Sequence, residues 1–164
     1  MLYYQGYAVS FQEIPDEVTL VIEVADCPYH CQGCHSPELW KAEGFDLEHD
    51  LESIISQYSD AITCVCLMGD GQDDGALFHC AEIINNHGFK SAVYTGGDEQ
   101  RGLLIAPFFD YVKFGPYIKE RGGLDSDATN QHLLRVTKHY NDCFGNPSGI
   151  SFEDITWKFR KSYT

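Results

Sequence analysis

Three cysteines fall within one short segment of the sequence, residues 27–35, which reads Cys-Pro-Tyr-His-Cys-Gln-Gly-Cys-His. The segment directly follows an apolar run at 18–24, whose length and β-branched residues predict a buried strand. Pro28 and Gly33 keep the segment from continuing as a strand or a helix. We therefore expect a loop that can curl its thiolates around one centre.

The spacing of these cysteines, C-x3-C-x2-C, limits what the loop can hold. A structural zinc site takes four ligands, usually as two pairs separated by a longer loop, and no second C-x2-C pair is present. Iron–sulfur clusters are held by thiolates at tight spacing of this kind. Because the loop offers only Cys27, Cys31 and Cys34, a 4Fe-4S cluster would keep one iron without a protein ligand. A small molecule can chelate such an iron, so the spacing indicates catalysis more than electron transfer alone.

Three other interpretations of the segment compete with the cluster. Cys31 to His35 matches the C-x-x-C-H pattern of c-type haem attachment, but that pattern needs export and leaves Cys27 unexplained. A zinc site could combine the three cysteines with His30 or His35. A disulfide framework would leave one of the seven cysteines unpaired. The cluster is favoured, with a zinc-binding module and an iron–sulfur electron carrier as the non-enzymatic alternatives.

Composition bounds the class of protein. The 164 residues are expected to form one domain, residues 1–164. No apolar run approaches the roughly 18 residues of a membrane helix, and the N-terminus lacks a signal peptide. A cytoplasmic location is therefore expected, where thiols stay reduced and can bind metal. The net charge of -14 argues against nucleic-acid binding and favours solubility, although it could also steer a basic partner.

The order of elements predicts an α/β fold with a mostly parallel sheet, because strands alternate with helical segments. Strands are predicted at 18–25, 61–68, 90–95 and 108–114, with helices after Asp46, near 76–87 and near 99–106. An N-terminal edge strand before Pro15, a short strand or helix at 130–136 and a terminal strand at 155–159 complete the prediction.

Ligand sites in such sheets lie at the carboxyl ends of the strands. The cysteine loop, the glycine-rich turn at 69–75, residues 95–97 and residues 115–116 all follow predicted strands. We expect these four loops to meet in one active site. In the turn at 69–75 the backbone can approach a ligand closely, and Asp70 could accept a hydrogen bond from an ammonium group. An ordinary strand-to-helix turn is the alternative.

Six further strings run through most of the chain. They are FQEIPDE at 11–17, CQGCHSPEL at 31–39, YTG at 94–96, KFGPY at 113–117, TNQ at 129–131 and ITWKF at 155–159. The cysteine segment resembles the cluster motif of radical S-adenosylmethionine (radical SAM) enzymes. Together with the short chain length, the other strings resemble the activating proteins of anaerobic (class III) ribonucleotide reductase. The fold implied is a compact partial (β/α) barrel of the radical SAM type.

This resemblance implies an activity. A 4Fe-4S cluster on Cys27, Cys31 and Cys34 would bind S-adenosylmethionine at its open iron, and a low-potential electron donor would reduce the cluster. Cleavage of the sulfonium would release a 5′-deoxyadenosyl radical, which would abstract hydrogen from a glycine of the reductase's glycyl-radical subunit. Activation of another glycyl-radical enzyme, or another small radical SAM activity, is the alternative. No nucleic-acid or membrane partner is expected.

The resemblance also implies cofactor-binding positions outside the cysteine loop. They are Gly69, Asp70, Gly71, Tyr94, Gly96, Asn130 and Gln131. The turn reads Met-Gly-Asp-Gly where the family has an uninterrupted Gly-Gly pair for the methionine amino group. His132 stands where arginine is common, and Gly33 stands where many radical SAM loops carry an aromatic residue.

The remaining cysteines and the loop histidines have simpler interpretations. Cys64, Cys66 and Cys80 are expected to be buried as small apolar residues, and Cys143 is expected in a loop. His30 and His35 could tune a cluster by hydrogen bonding or could be solvated loop residues.

Overall fold

The structure, a computed structural model, describes residues 1–140 and 147–160 of the chain. Eight strands in this part form one open sheet. They are β1 (Tyr3–Ser10), β2 (Thr19–Val24), β3 (Phe45–Asp46), β4 (Cys64–Met68), β5 (Lys90–Tyr94), β6 (Tyr111–Phe114), β7 (His132–Tyr140) and β8 (Pro147–Asp154). Their spatial order is β3-β1-β2-β4-β5-β6-β7-β8.

The sheet is mixed. Strands β2, β4, β5 and β6 pair in parallel, as the alternation of elements predicts. Strands β1 and β3 on one side and β7 and β8 on the other pair antiparallel. The α/β class is therefore confirmed, whereas a mostly parallel sheet holds only for the four central strands. Strands β1 and β7 pair antiparallel with their neighbours in sequence, β2 and β6, and no α-helix lies between β1 and β2 or between β6 and β7.

Three helices connect the parallel strands: α1 (Leu47–Tyr58), α2 (Asp74–Asn86) and α3 (Glu99–Ile105). Each begins after an aspartate whose side chain accepts a backbone N–H of the first turn, and these are Asp46, Asp73 and Asp98. The predicted cap at Asp46 is thus confirmed. Buried residues of all three helices join one core with β2, β4, β5 and β6, so the helices cover the same face of the sheet.

The opposite face carries a smaller core, which contains Cys64, Cys66, Ala92, Ile14 and Ile155. Loop segments rather than helices supply Ile14 and Ile155 to this face. Cys64 and Cys66 are fully buried here, and Cys80 is fully buried in the helical core, as the sequence predicts. Cys143 lies outside the described residues.

Three sequence predictions about peripheral elements need revision or completion. The predicted terminal strand at 155–159 is wrong, because Thr156–Phe159 forms a 3-10 helix. Asp154 Oδ1 accepts bonds from the Thr156 backbone N–H (3.0 Å) and hydroxyl (2.6 Å), which bends the chain after β8. Strand β1 lies inside the sheet, since β3 pairs with its outer edge. The segment at 130–136, left as strand or helix, begins β7.

The carboxyl ends of β2, β4, β5 and β6 lie at one edge of the sheet, since these strands run parallel. Within the described ranges, no helix has the length and apolar character needed to cross a membrane.

Candidate metal and ligand site

A cavity of about 240 Å³ opens at this carboxyl edge. The cysteine loop, the turn at 69–75 and residues 95–97 contribute to its wall, as the topology predicts, whereas residues 115–116 are not in the lining and the next residue, Tyr117, is. The residues lining it are Val24, Cys27, Cys31, Cys34, His35, Ser36, Leu39, Trp40, Met68, Gly69, Tyr94, Thr95, Gly96, Lys113 and Tyr117. The three cysteines therefore share one cavity with three of the other predicted positions, Gly69, Tyr94 and Gly96.

The cysteine loop is closed at its base by backbone hydrogen bonds. Asp26 N–H donates to the Lys41 carbonyl (3.0 Å), and Cys27 N–H donates to the Leu39 carbonyl (3.0 Å). Within the loop, Asp26 and His30 have positive φ angles of 63° and 45°. Non-glycine residues rarely adopt this conformation, which costs free energy and is concentrated at functional sites. The loop is thus folded into a tight curl at the mouth of the cavity.

The chemistry of the loop is that of thiols in a partly buried setting. Cys27, Cys31 and Cys34 are each between buried and exposed. Burial raises the pKa of the Cys27 thiol, although backbone N–H groups of Tyr29 and His30 oppose this effect. Ser36 N–H donates to Cys34 Sγ at 3.4 Å. Such N–H groups stabilise a thiolate and tune an attached cluster.

The described residues contain no group of three or more His, Cys, Asp or Glu side chains arranged to hold one metal ion. Ligands of a single ion must meet at one point, whereas each iron of a cluster can take its own thiolate. Cys27, Cys31 and Cys34 line one cavity, and a cluster held by them stays a prediction.

Asp70 connects the cysteine loop to the neighbouring elements. Its Oδ2 accepts bonds from the Tyr29 hydroxyl (3.0 Å), Thr95 Oγ1 (2.9 Å) and Arg101 Nε (2.9 Å). Arg101 also forms a two-pronged ion pair with Asp74 at 2.9 and 2.7 Å. One carboxylate oxygen thus ties the cysteine loop to the loop after β5 and to α3, and Arg101 extends the network to α2.

The second carboxylate oxygen of Asp70, Oδ1, accepts no hydrogen bond from the described residues. Asp70 is 1% exposed, and its Oδ1 is buried without a hydrogen-bond partner in the described residues. A buried acceptor left unpaired is costly, so a donor that reached it would be bound favourably. Asp70 is not among the residues that line the described cavity, although its neighbour Gly69 is. A direct bond from Asp70 to a ligand ammonium group stays a prediction.

The two glycines around Asp70 have different roles. Gly69 has φ of 118° and lines the cavity, and a Cβ added to it would lie 3.0 Å from the Val24 carbonyl oxygen. Gly71 has φ of 57°, and a Cβ there would lie 2.5 Å from Leu2 Cδ1. Gly69 is therefore the turn residue available to a ligand, while Gly71 packs against the N-terminal segment.

Gly96 accommodates the ring of Tyr29 from the cysteine loop. A Cβ at position 96 would lie 2.7 Å from Tyr29 Cδ2 and 3.0 Å from Cγ. The YTG string therefore has a steric explanation: the loop can close only if residue 96 lacks a side chain. Tyr94 also lines the cavity, and its hydroxyl donates to the Glu13 carbonyl below.

Replacing Gly96 by alanine is expected to lower the free energy of unfolding by about 1–3 kcal/mol, because Tyr29 must move. The cysteine thiols of the displaced loop should also be alkylated faster. Gly75→Ala is the matched control, since its Cβ would meet only Asp73 Oδ1 at 3.5 Å and alanine favours the helix. Urea unfolding and iodoacetamide labelling measure both effects. Equal behaviour of the two variants would show that Tyr29 does not depend on Gly96.

Asn130 and Gln131 contact the turn that follows β6. Asn130 Nδ2 donates to the Pro116 carbonyl (2.9 Å), and Gln131 Nε2 lies 3.5 Å from the Gly115 carbonyl oxygen. Neither residue is in the described lining. The structure thus gives them contacts that brace the turn after β6, and their predicted contact with a cofactor stays a prediction.

The loop histidines and His132 occupy different surroundings. His132 pairs with Asp154 (2.7 Å) and is outside the described cavity lining, so the structure does not bring it to the thiols. His30 stacks on Trp40 with ring centroids 4.7 Å apart, whereas His35 itself lines the cavity. Of the two loop histidines, His35 is the one on the cavity wall.

Lys113 is a cavity residue that the sequence prediction missed. It is 7% exposed, and its Nζ donates to the Gly115 carbonyl (2.9 Å). Burial lowers its pKa to about 8, and electrostatic interactions with Cys31, Asp70 and Cys27 oppose this effect. A lysine inside the apolar string Tyr-Val-Lys-Phe was the available signal, because a buried charge needs a partner.

Comparisons of the chain with protein-family models, with curated proteins and with solved structures gave no match.

Proposed function

We propose that this chain is a radical SAM activase that binds a 4Fe-4S cluster through Cys27, Cys31 and Cys34. Its reaction would be reductive cleavage of S-adenosylmethionine followed by formation of a glycyl radical on an anaerobic ribonucleotide reductase. The observation that carries the proposal is the cavity shared by these three thiols at the carboxyl edge of four parallel strands. We also propose that the open sheet, with helices on one face, is a partial barrel of the radical SAM type.

The bound cluster would supply the electron that cleaves the sulfonium bond of the substrate, and the chain supplies binding and orientation. Lys113 is the basic residue in the described cavity wall, and its ammonium group is suited to bind the substrate carboxylate. The backbone at Gly69 and the unpaired Oδ1 of the adjacent Asp70 are suited to the substrate ammonium group. Apolar residues of the wall, Val24, Leu39 and Met68, would keep water away from the reacting atoms.

The proposed partners follow from this chemistry. A low-potential donor would reduce the cluster in the cytoplasm, and the glycyl-radical subunit of the reductase would receive the radical. The cavity does not distinguish that subunit from another glycyl-radical enzyme, which is the alternative partner.

The partner step can be tested directly. The reconstituted protein should be reduced, mixed anaerobically with S-adenosylmethionine and the reductase subunit, and examined by electron paramagnetic resonance. A glycyl-radical signal on the reductase, absent when its radical glycine is replaced by alanine, is the expected result. A glycyl-radical signal that forms only on a different glycyl-radical enzyme would make that enzyme the partner. Cleavage of S-adenosylmethionine without a glycyl radical on either protein would contradict the activase function.

A further inference from the structure

A cavity of about 410 Å³ lies at the edge of the sheet opposite to the thiols. Lys90 is the first residue of β5 and Tyr111 is the first residue of β6, and both line this cavity, so it opens at the amino ends of parallel strands. None of its lining residues lines the thiol cavity. It is therefore a separate space, which we call the amino-edge cavity, and its volume is in the range of small-molecule sites.

The charge of the amino-edge cavity is opposite in sign to that of the whole chain. Three of the 11 lysines and arginines line it, namely Lys90, Arg135 and Lys138. Two carboxylates oppose them, since Asp110 also lines the cavity and Glu153 pairs with Arg135. The balance of these five groups is positive, whereas the chain has a net charge of -14. A small anion that most of the surface repels is therefore attracted to this cavity.

Backbone hydrogen bonds fix the positions of two of the basic residues relative to Asp110. Ser91, which follows Lys90, donates its N–H to Asp110 Oδ2 (2.8 Å). Val136, which follows Arg135, donates its N–H to the Asp110 carbonyl (2.8 Å). Lys90 and Arg135 thus each adjoin a residue that is anchored to Asp110, and the fold holds both of them at one place.

The Asp110 carboxylate is occupied by donors from within the fold. Besides the Ser91 N–H, its Oδ2 accepts bonds from Asn85 Nδ2 (2.9 Å) and from the Ser91 hydroxyl (3.3 Å). These three donors offset part of the negative charge that Asp110 brings to the cavity. Its role is to hold the start of β5 rather than to pair with the basic side chains.

The basic side chains are available to a ligand. Lys90 and Lys138 form no ion pair with another residue in the ranges 1–140 and 147–160. Arg135 donates only Nη2 to Glu153, in a pair whose side chains are about half exposed, and such pairs add little to stability. A guanidinium can present two parallel N–H groups to a phosphate. The exposed hydroxyl of Thr137 in the same wall adds a further donor.

We propose that the amino-edge cavity binds the phosphate chain of a small molecule, with two N–H groups of Arg135 on one phosphate and the ammonium groups of Lys90 and Lys138 on the others. A chain of two or three phosphates fits better than a carboxylate, because a single carboxylate cannot engage three separated cations. The phosphate chain can be inorganic or can belong to a nucleotide. This inference does not depend on the thiols or on the proposed function.

The test is isothermal titration calorimetry of the full-length protein with inorganic tripolyphosphate in metal-free buffer. The wild type should bind one equivalent, and Arg135→Gln should weaken binding about tenfold or more, because charge-assisted bonds to phosphate are lost. Arg121→Gln is the matched control. It removes the same charge, but Arg121 is exposed and lines neither the thiol cavity nor the amino-edge cavity.

Glu153→Gln provides a readout that a damaged fold cannot imitate. It removes the carboxylate that competes for Arg135, so tripolyphosphate should bind severalfold more tightly than to the wild type. Failure of the wild type to bind tripolyphosphate, or equal weakening in Arg135→Gln and Arg121→Gln, would overturn the inference.

ATP and adenosine distinguish the two sources of the phosphate chain. ATP that binds like tripolyphosphate would show that the cavity recognises the chain alone, and ATP that binds at least tenfold more tightly would identify a nucleotide as the ligand. Displacement of tripolyphosphate by adenosine, which has no phosphate, would contradict the inference. A protein that binds tripolyphosphate in this way but never cleaves S-adenosylmethionine would retain this inference and lose the proposed function.

Discussion

Replacing Cys31 by alanine is expected to abolish cleavage of S-adenosylmethionine. Cys31 is the middle thiol of the loop and lines the cavity together with Cys27 and Cys34. Without it, a 4Fe-4S cluster would have two thiolates from the chain and two irons without protein ligands. We expect little iron and sulfide after anaerobic reconstitution, a weak cluster absorbance and no detectable 5′-deoxyadenosine.

Cys64→Ala is the matched control for this prediction. Cys64 is fully buried on β4 in the smaller core, and burial raises the pKa of its thiol far above the usual value. Such a thiol packs as a small apolar group, so the variant should lose some stability but keep the cluster. Full cleavage activity in Cys31→Ala, or equal loss of the cluster in both variants, would contradict the ligand assignment.

Replacing Lys113 by methionine is expected to stabilise the fold and weaken substrate binding. Burial lowers the pKa of Lys113 from 10.5 to about 8, so at pH 7 the charged side chain costs up to about 3 kcal/mol. Methionine removes that cost but, among the described residues, leaves the Gly115 carbonyl with only the long contact from Gln131. The net gain in unfolding free energy at pH 7 should be about 1–3 kcal/mol.

The pH dependence of this gain has a definite sign. Between pH 8 and 10.5 the unfolded chain binds more protons at Lys113 than the folded chain does, so the stability of the wild type rises with pH there. The advantage of Lys113→Met should therefore be fully present below pH 8 and shrink as the pH rises through this window. Urea unfolding of the cluster-free protein at several pH values measures it.

The same variant should bind S-adenosylmethionine about 10- to 100-fold more weakly, because a charge-assisted bond to the carboxylate is lost. Lys90→Met is the matched control: Lys90 is exposed, begins β5 and lies at the opposite end of that strand from the cavity. A Lys113→Met variant that is less stable than the wild type and binds the substrate equally well would show that Lys113 is a structural residue.

Local patterns predicted the site best where one strand and its following loop decide the geometry. The cysteine segment, the turn beginning at Gly69 and Gly96 each come directly after a parallel strand, so the topology alone brings them together. The aspartate cap of α1 is likewise a local signal. In contrast, the strand predicted at 155–159 depended on apolar residues, and the bonds of Asp154 to Thr156 outweighed that pattern.

Contacts between distant residues could not be predicted in this way. The donors to Asp70 Oδ2 come from Tyr29, Thr95 and Arg101, which lie 41, 25 and 31 positions away in the chain. The close packing of the Tyr29 ring against Gly96 is another contact between residues far apart in the chain. For Asn130 and Gln131, the TNQ motif drew attention to the residues, but the sequence did not show that they contact the turn after β6.

The measurement that tests the central claim most directly is an assay for 5′-deoxyadenosine after anaerobic reconstitution with iron and sulfide and reduction in the presence of S-adenosylmethionine. The proposed function predicts that 5′-deoxyadenosine forms and that it disappears when Cys27, Cys31 or Cys34 is replaced singly. A protein that takes up zinc and refuses iron, or that assembles a cluster and never cleaves the substrate even with its partner present, would contradict it.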